Sequence, residues 1–258
     1  MDHDPDRFIA GIYNYCDRWC ERCRLTDRCR VYDQEQKQLE RHLLRGEDPD
    51  DPAVFMQDVA DSLSEALGML EQMAAESGRE IDAEPCLLPI ERVSDPLPAQ
   101  AERWGMRVGA LLARMRTDLP AIGQDLAGQT DALSDREQGE VIQALEGVRD
   151  AYEVLAQYHL LIPVKMARAA RGEAKAEDEG DPERSPVRWD DSLGTAKLIH
   201  ECLGKAAGAL WCAAELSRDW QDEALPLAAE AESLRQQIDR RFPGHPHFRR
   251  PGLDELPP

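Results

Sequence analysis

No stretch of the chain approaches the roughly 18 consecutive apolar residues that a membrane-crossing helix needs, so no membrane span is expected. The opening MDHDPDRFIAGIY carries early acids and no apolar run of signal-peptide length, which points to the cytoplasm. Period-two alternation is scarce, and sheet content is expected to be near zero. Basic side chains are the minority, 31 against 51 acidic ones, for a net charge of −20. A field of that sign repels nucleic-acid phosphates and anionic lipid headgroups, which removes both as expected partners. The sequence has neither a Gly-rich phosphate loop nor a G-x-S-x-G nucleophile motif, so the commonest signatures of nucleotide and acyl chemistry are missing.

What the chain does have is apolar residues recurring at spacings of three and four, the period of one helical face. The pattern predicts an all-α protein, an antiparallel helical bundle with an N-terminal helical four-cysteine segment. Three regions are expected: residues 1–48 as the cysteine-rich segment, 49–242 as the bundle, and 243–258 as a flexible, proline-rich tail. Residues 172–187 form an acidic linker within the bundle, too polar to order itself.

Helices are predicted from Pro5 to about Arg22, with Asp4 as N-cap, and from about Arg30 to Leu44. A third, opened by Asp51 and Pro52 and closed by Gly78, carries the seam Met56, Val59, Leu63, Ala66, Leu70, Met73. Residues 79–97, with Cys86 among prolines, read as an extended connection. A helix over Pro98–Asp118 precedes a looser stretch containing Pro120. Ser134 and Glu137 have capping-box spacing before a long stripe that runs Val141, Leu145, Val148, Tyr152, Leu155, His159, Ile162, Met166, Ala169. A helix from Asp191 or Ser192 carries Leu193, Ala196, His200, Leu203, Ala207, Leu210, Ala214. The last carries Leu227, Ala231, Leu234 and Ile238.

Seven cysteines are an odd number, and in a reducing compartment a disulfide framework is not expected. Four of them, Cys16, Cys20, Cys23 and Cys29, stand within fourteen residues as C-x3-C-x2-C-x5-C. Four soft ligands that close together point to a metal, either an iron–sulfur cluster or zinc. An unbroken helix would separate Cys16 and Cys23 by about 10 Å along its axis, too far for one zinc, so zinc requires the helix to break. A [4Fe-4S] cluster is wider and tolerates more spread, and it is the occupant preferred here. Residues 16–30 hold five arginines and three acids, a local excess of positive charge that favours thiolate over thiol.

The first three cysteines resemble the radical-SAM family's C-x3-C-x2-C motif over eight residues. The chain lacks that family's aromatic before the third cysteine and its alternating strands and helices, so the family's activity is not carried over.

His159 and His200 both fall on apolar stripes, where a buried ring needs a partner. In a hairpin about the linker the two come to nearly one level, with Tyr152 one heptad before His159, as a candidate cofactor or small-molecule pocket. The plainer expectation is two core histidines bonded to Tyr152, Glu153 or Glu201. Pro163 should kink the helix at His159, whose carbonyl it cannot bond. Cys202 and Cys212 are expected as small packing residues.

Three functions fit this sequence. The first is a metal-binding protein whose cysteine site holds an iron–sulfur cluster for electron transfer or redox sensing with an unknown protein or redox partner. The second is an enzyme with a pocket around His159 and His200 and a structural metal at the cysteines. The third is a zinc-stabilised interaction scaffold.

Overall fold

The computed structural model describes residues 7–78, 95–130, 134–178 and 186–254. All regular structure among them is helical, and no strand occurs. Six α-helices follow in order: α1 (Arg30–Arg45), α2 (Pro52–Ser77), α3 (Pro96–Thr130), α4 (Asp135–Asp178), α5 (Pro186–Leu216) and α6 (Arg218–Arg241). No described helix is long and apolar enough to cross a membrane. The chain divides into two compact units, Met1–Ile9 with Arg22–Arg92, and Ala10–Glu21 with Val93–Pro258.

The second unit is a four-helix bundle of α3 to α6. Helices α3 and α6 run antiparallel, since Gln100 bonds Gln237, Arg107 bonds Glu230, Arg114 bonds Glu223 and Trp220 bonds Asp118. The same inverse order links α4 with α5 (Tyr158 to Lys205, Arg168 to Asp191) and α5 with α6 (His200 near Asp239, Gly204 against Arg235). Each helix therefore opposes its sequence neighbour, the up-down-up-down arrangement that short connections favour. The stripes meet inside: Val108, Leu111, Met115, Leu155, Ile162, Met166, Leu203, Leu210, Leu227 and Ile238 are all buried. Trp104 closes one layer and donates its indole N–H to the Leu227 carbonyl at 3.0 Å.

Local chemistry explains several boundaries. Asp51 caps α2 by accepting the Ala53 N–H at 2.8 Å, and Gly78 ends it in the left-handed conformation at φ 65. Glu137 accepts from the Ser134 amide at 2.8 Å and from its hydroxyl at 2.6 Å, so the S-x-x-E spacing does open α4.

Other expectations need correction. Helix α3 runs through Pro120 to Thr130 instead of loosening, because Leu119 and Ile122 still pack on the core. Helix α4 continues to Asp178 and α5 begins at Pro186, so most of the expected 172–187 linker is helical, and residues 179–185 lie outside the described set. Glu173 shows why the extension holds, accepting from Arg241 of α6 at 2.5 Å.

Residues 243–254 are no free tail. Phe242, His245 and Arg250 are buried, and Arg250 binds Glu201 and Asp254. Helix α2, expected in the bundle, belongs to the first unit, and none of its residues is buried.

Candidate metal centres

The largest departure from the expected secondary structure falls on the cysteines. No α-helix covers residues 7–29; the chain instead makes 3-10 turns at Ile12–Asn14, Cys20–Arg22 and Thr26–Arg28. Arg18, between Cys16 and Cys20, has φ 58, a left-handed conformation that no α-helix accommodates. The break that zinc coordination would require is present, and the separation argued from a continuous helix no longer applies.

The boundary between the two units passes between Cys20 and Cys23. On the bundle side, Ala10–Glu21 is anchored by specific contacts. Tyr15 meets Phe248 edge-on at 4.9 Å, and Trp19 meets Tyr158 at 5.8 Å. The Asp17 carboxylate accepts from the Tyr158 hydroxyl at 2.8 Å and pairs with Lys205 at 3.3 Å, while Gln157 donates to the Asp17 carbonyl at 2.9 Å. Burial alone would raise the Asp17 carboxyl, but the Tyr158 bond and the Lys205 charge outweigh it and hold the group below its ordinary value.

Lys165 of α4 donates to the Asn14 carbonyl at 3.3 Å and lies within Coulombic range of Cys16. Burial, then the charges of Arg168 and Arg18, lower its pKa, against the opposing pull of Cys16. By reciprocity that ammonium favours a Cys16 thiolate.

In the first unit, the Leu25 N–H donates to Cys23 Sγ at 3.4 Å. Cys29 is the N-cap residue of α1, at the positive end of a 16-residue helix. Each of these three surroundings thus suits a metal-binding sulfur.

The bundle histidines occupy different interfaces. His159 lies against α3: a Cβ on Gly105 would stand 2.4 Å from its carbonyl oxygen, and one on Gly109 would stand 3.4 Å from its ring. The Nδ1 atom of His159 lies 2.9 Å from the Ala156 carbonyl of its own helix. His200 faces α6 and the C-terminal segment, with Nε2 3.3 Å from Arg235 Nη2 and 3.4 Å from Asp239 Oδ1. Tyr152 is half-buried against the core, and the fully buried tyrosine of α4 is Tyr158. The expected meeting of His159, Tyr152 and His200 in one pocket is therefore not what these contacts describe. Cys202 is buried in the bundle and its thiol is pushed up by desolvation, while Cys86 lies outside the described residues.

His200 has other company. The His245 ring lies tilted beside it, 4.9 Å between centroids, and His245 Nε2 lies 2.9 Å from Asp239 Oδ1. One ligand atom from each of His200, Asp239 and His245 falls within 4.8 Å of the others. Burial, then the Arg235 charge, lowers the His200 pKa, which favours the neutral ring. The His245 hydrogen bond holds Asp239 below the ordinary carboxylate value. Arg235 lies against His200, and its positive charge opposes a cation there. Sequence reasoning missed Asp239 and His245 because the proline-rich tail gave no sign of folding back; the H-x-H pair of His245 and His247 was the available signal.

Compared with known protein families, curated proteins and solved structures, the chain matches none.

Proposed function

We propose that this is a metal-binding protein whose Cys16, Cys20, Cys23 and Cys29 thiolates hold an iron–sulfur cluster used for electron transfer or redox sensing. The observation that carries it is the concentration of four thiols in fourteen residues of chain without α-helix. Lys165 lies near Cys16, the Leu25 amide donates to Cys23, and Cys29 stands at the α1 N-terminus, so three of the four sulfurs have a positive or donating group beside them. When bound, a cluster supplies one-electron chemistry. The chain's own contribution is to supply four sulfurs from a segment free of α-helix and to present half-buried Trp19 beside Cys20.

Anaerobic purification tests the proposal. Iron and acid-labile sulfide in cluster stoichiometry, with a broad visible absorption that bleaches on reduction, are expected, and each Cys→Ser change should diminish them. Colourless protein carrying one zinc would reject the redox role and leave a structural tetrathiolate.

A second reading is favoured by the His200–Asp239–His245 group: a bundle-borne site for a divalent cation, with two imidazoles and one carboxylate as ligands. Arg235 must withdraw for it to form, which ranks it below the thiolate site. Cobalt(II) separates the two, because only thiolate ligands give sulfur-to-metal charge transfer. Weak d–d bands without that transition, abolished by His245→Ala, would support the bundle site.

A further inference from the structure

One stripe as regular as those of the bundle stands exposed among the described residues. Along α2, Met56, Val59, Leu63, Ala66, Leu70 and Met73 alternate steps of three and four, the a and d positions of a heptad. Phe55, Leu67 and Met69 widen the stripe. Phe55 is 60% exposed, Met56 62%, Leu63 62%, Leu67 60%, Leu70 55% and Met73 64%. Covering this face would bury on the order of 800 Å² per copy, the size of a standard stable interface. A face that large exceeds the roughly 300–600 Å² apolar patch of an ordinary monomer.

We propose that α2 is a self-association surface, through which two copies of the chain pair by their Met56–Met73 stripes. Charge placement selects this occupant. Helix α2 carries five acids and no basic residue. Asp58, Asp61, Glu65 and Glu71 fall on the heptad positions facing away from the stripe. The positions bordering it, Ala60, Ser62, Leu67, Met69 and Ala74, are uncharged, and Glu76 at the last turn is the exception.

Two α2 helices can therefore meet about a two-fold axis without setting like charges against each other. A basic partner would find the acids on the wrong face, and an anionic membrane would meet acids with no cation to attract it. Ala66, midway along the stripe, allows close approach of the two backbones.

Sedimentation velocity on the full-length, metal-loaded chain under reducing conditions tests this. A dimer is expected at micromolar concentration. Leu63→Glu with Leu70→Glu should raise the dissociation constant at least a hundredfold while leaving helical circular dichroism unchanged, because both side chains are exposed in the single chain. Gln72→Glu, on the outward face, should leave the dimer intact.

Three outcomes would overturn the proposal. One is a monomer at the highest soluble concentration whose α2 amides are protected from exchange, which would show the stripe covered within the chain. Another is a dimer indifferent to the double change. The third is a monomer that instead binds vesicles or a basic peptide through Leu63 and Leu70.

Discussion

The bundle and α2 carry apolar stripes of comparable regularity, yet they meet opposite fates. In α3 to α6 the stripes face one another and Leu111, Leu155, Leu203 and Leu210 are fully buried, whereas α2 has no buried residue. Heptad spacing specifies that a helix has an apolar face; it does not specify what lies against that face. The bundle helices find cover because each is joined to an antiparallel neighbour, with Ser217 alone separating α5 from α6. Among the described residues of its unit, the other α-helix is α1, and that helix exposes Leu43 and Leu44 itself.

The sharpest test pairs one leucine from each region. Leu203, fully buried in α5, should lose about 2–5 kcal/mol of unfolding free energy on change to Ala. Leu63→Ala, studied at a dilution where the chain is monomeric, should change it by less than about 0.5 kcal/mol. Urea titrations followed by circular dichroism measure both. An equal cost at Leu63 would mean that its stripe is already covered inside one chain, and the contrast between the regions would fail.

The C-terminal residues extend the comparison, because they show a proline-rich segment made orderly by charge. Asp254 accepts from Arg250 at 2.7 Å and from Lys197 at 2.8 Å, and Arg250 also grips Glu201. Burial alone would raise the Asp254 carboxyl, but its bonds to Arg250 and Lys197 prevail and hold it far below the carboxylate range. Its stabilisation is therefore complete above the unfolded value of about 3.9 and disappears only as pH falls through the much lower folded one. Asp254→Asn should cost about 1–3 kcal/mol and free residues 243–254 to exchange at neutral pH. Unchanged protection would show that Phe242 and His245 anchor the segment unaided.

Much of the helical architecture was legible because helix caps and periodicity are local. Asp51, Gly78, Ser134 and Glu137 act where the spacing placed them, and Leu227, Ala231, Leu234 and Ile238 are buried as expected. What escaped depends on contacts distant in sequence. Arg18 adopts its left-handed turn in a segment held by Tyr158, Gln157 and Lys205, more than a hundred residues away. His200 turned toward Asp239 and His245 instead of His159 because the chain after Phe242 folds back, a choice written in Arg250 and Lys197 and not in any periodicity. The four cysteines were visible from spacing alone, while the lysine beside Cys16 and the helix end at Cys29 were not.

Glycines offer a smaller probe of the same contrast. A Cβ at Gly105 would stand 2.4 Å from the His159 carbonyl and 2.9 Å from Pro163, whose missing N–H leaves that carbonyl without its helical partner. Gly105→Ala should force α3 and α4 apart and cost about 1–3 kcal/mol. At Gly68 in α2 a Cβ meets nothing within 4 Å, so Gly68→Ala should stabilise that helix by up to about 1 kcal/mol. Thermal melts of the two variants should move in opposite directions; a loss at Gly68 would place a hidden neighbour against α2.

The smallest effect concerns the contact that ties α1 to α2. His42, buried at the end of α1, lies 2.7 Å from Glu47 through Nδ1 and 3.0 Å from Asp58 of α2 through Nε2. The Glu47 hydrogen bond, and then that of Asp58, raise its pKa above the ordinary 6.5 against a lesser desolvation, and Arg45 at 4.0 Å steadies Glu47. A raised histidine gives its full stabilisation below the unfolded value and loses it as pH rises through the folded one. Amide exchange in the first turns of α2 should therefore quicken from mildly acidic to alkaline pH, and His42→Ala should abolish that dependence. An NMR titration placing His42 at or below 6.5 would show that the two carboxylates do not clamp the ring. Helices α1 and α2 would then be joined by their connecting turn alone, and the first unit would differ from the bundle in lacking even a polar tie between its helices.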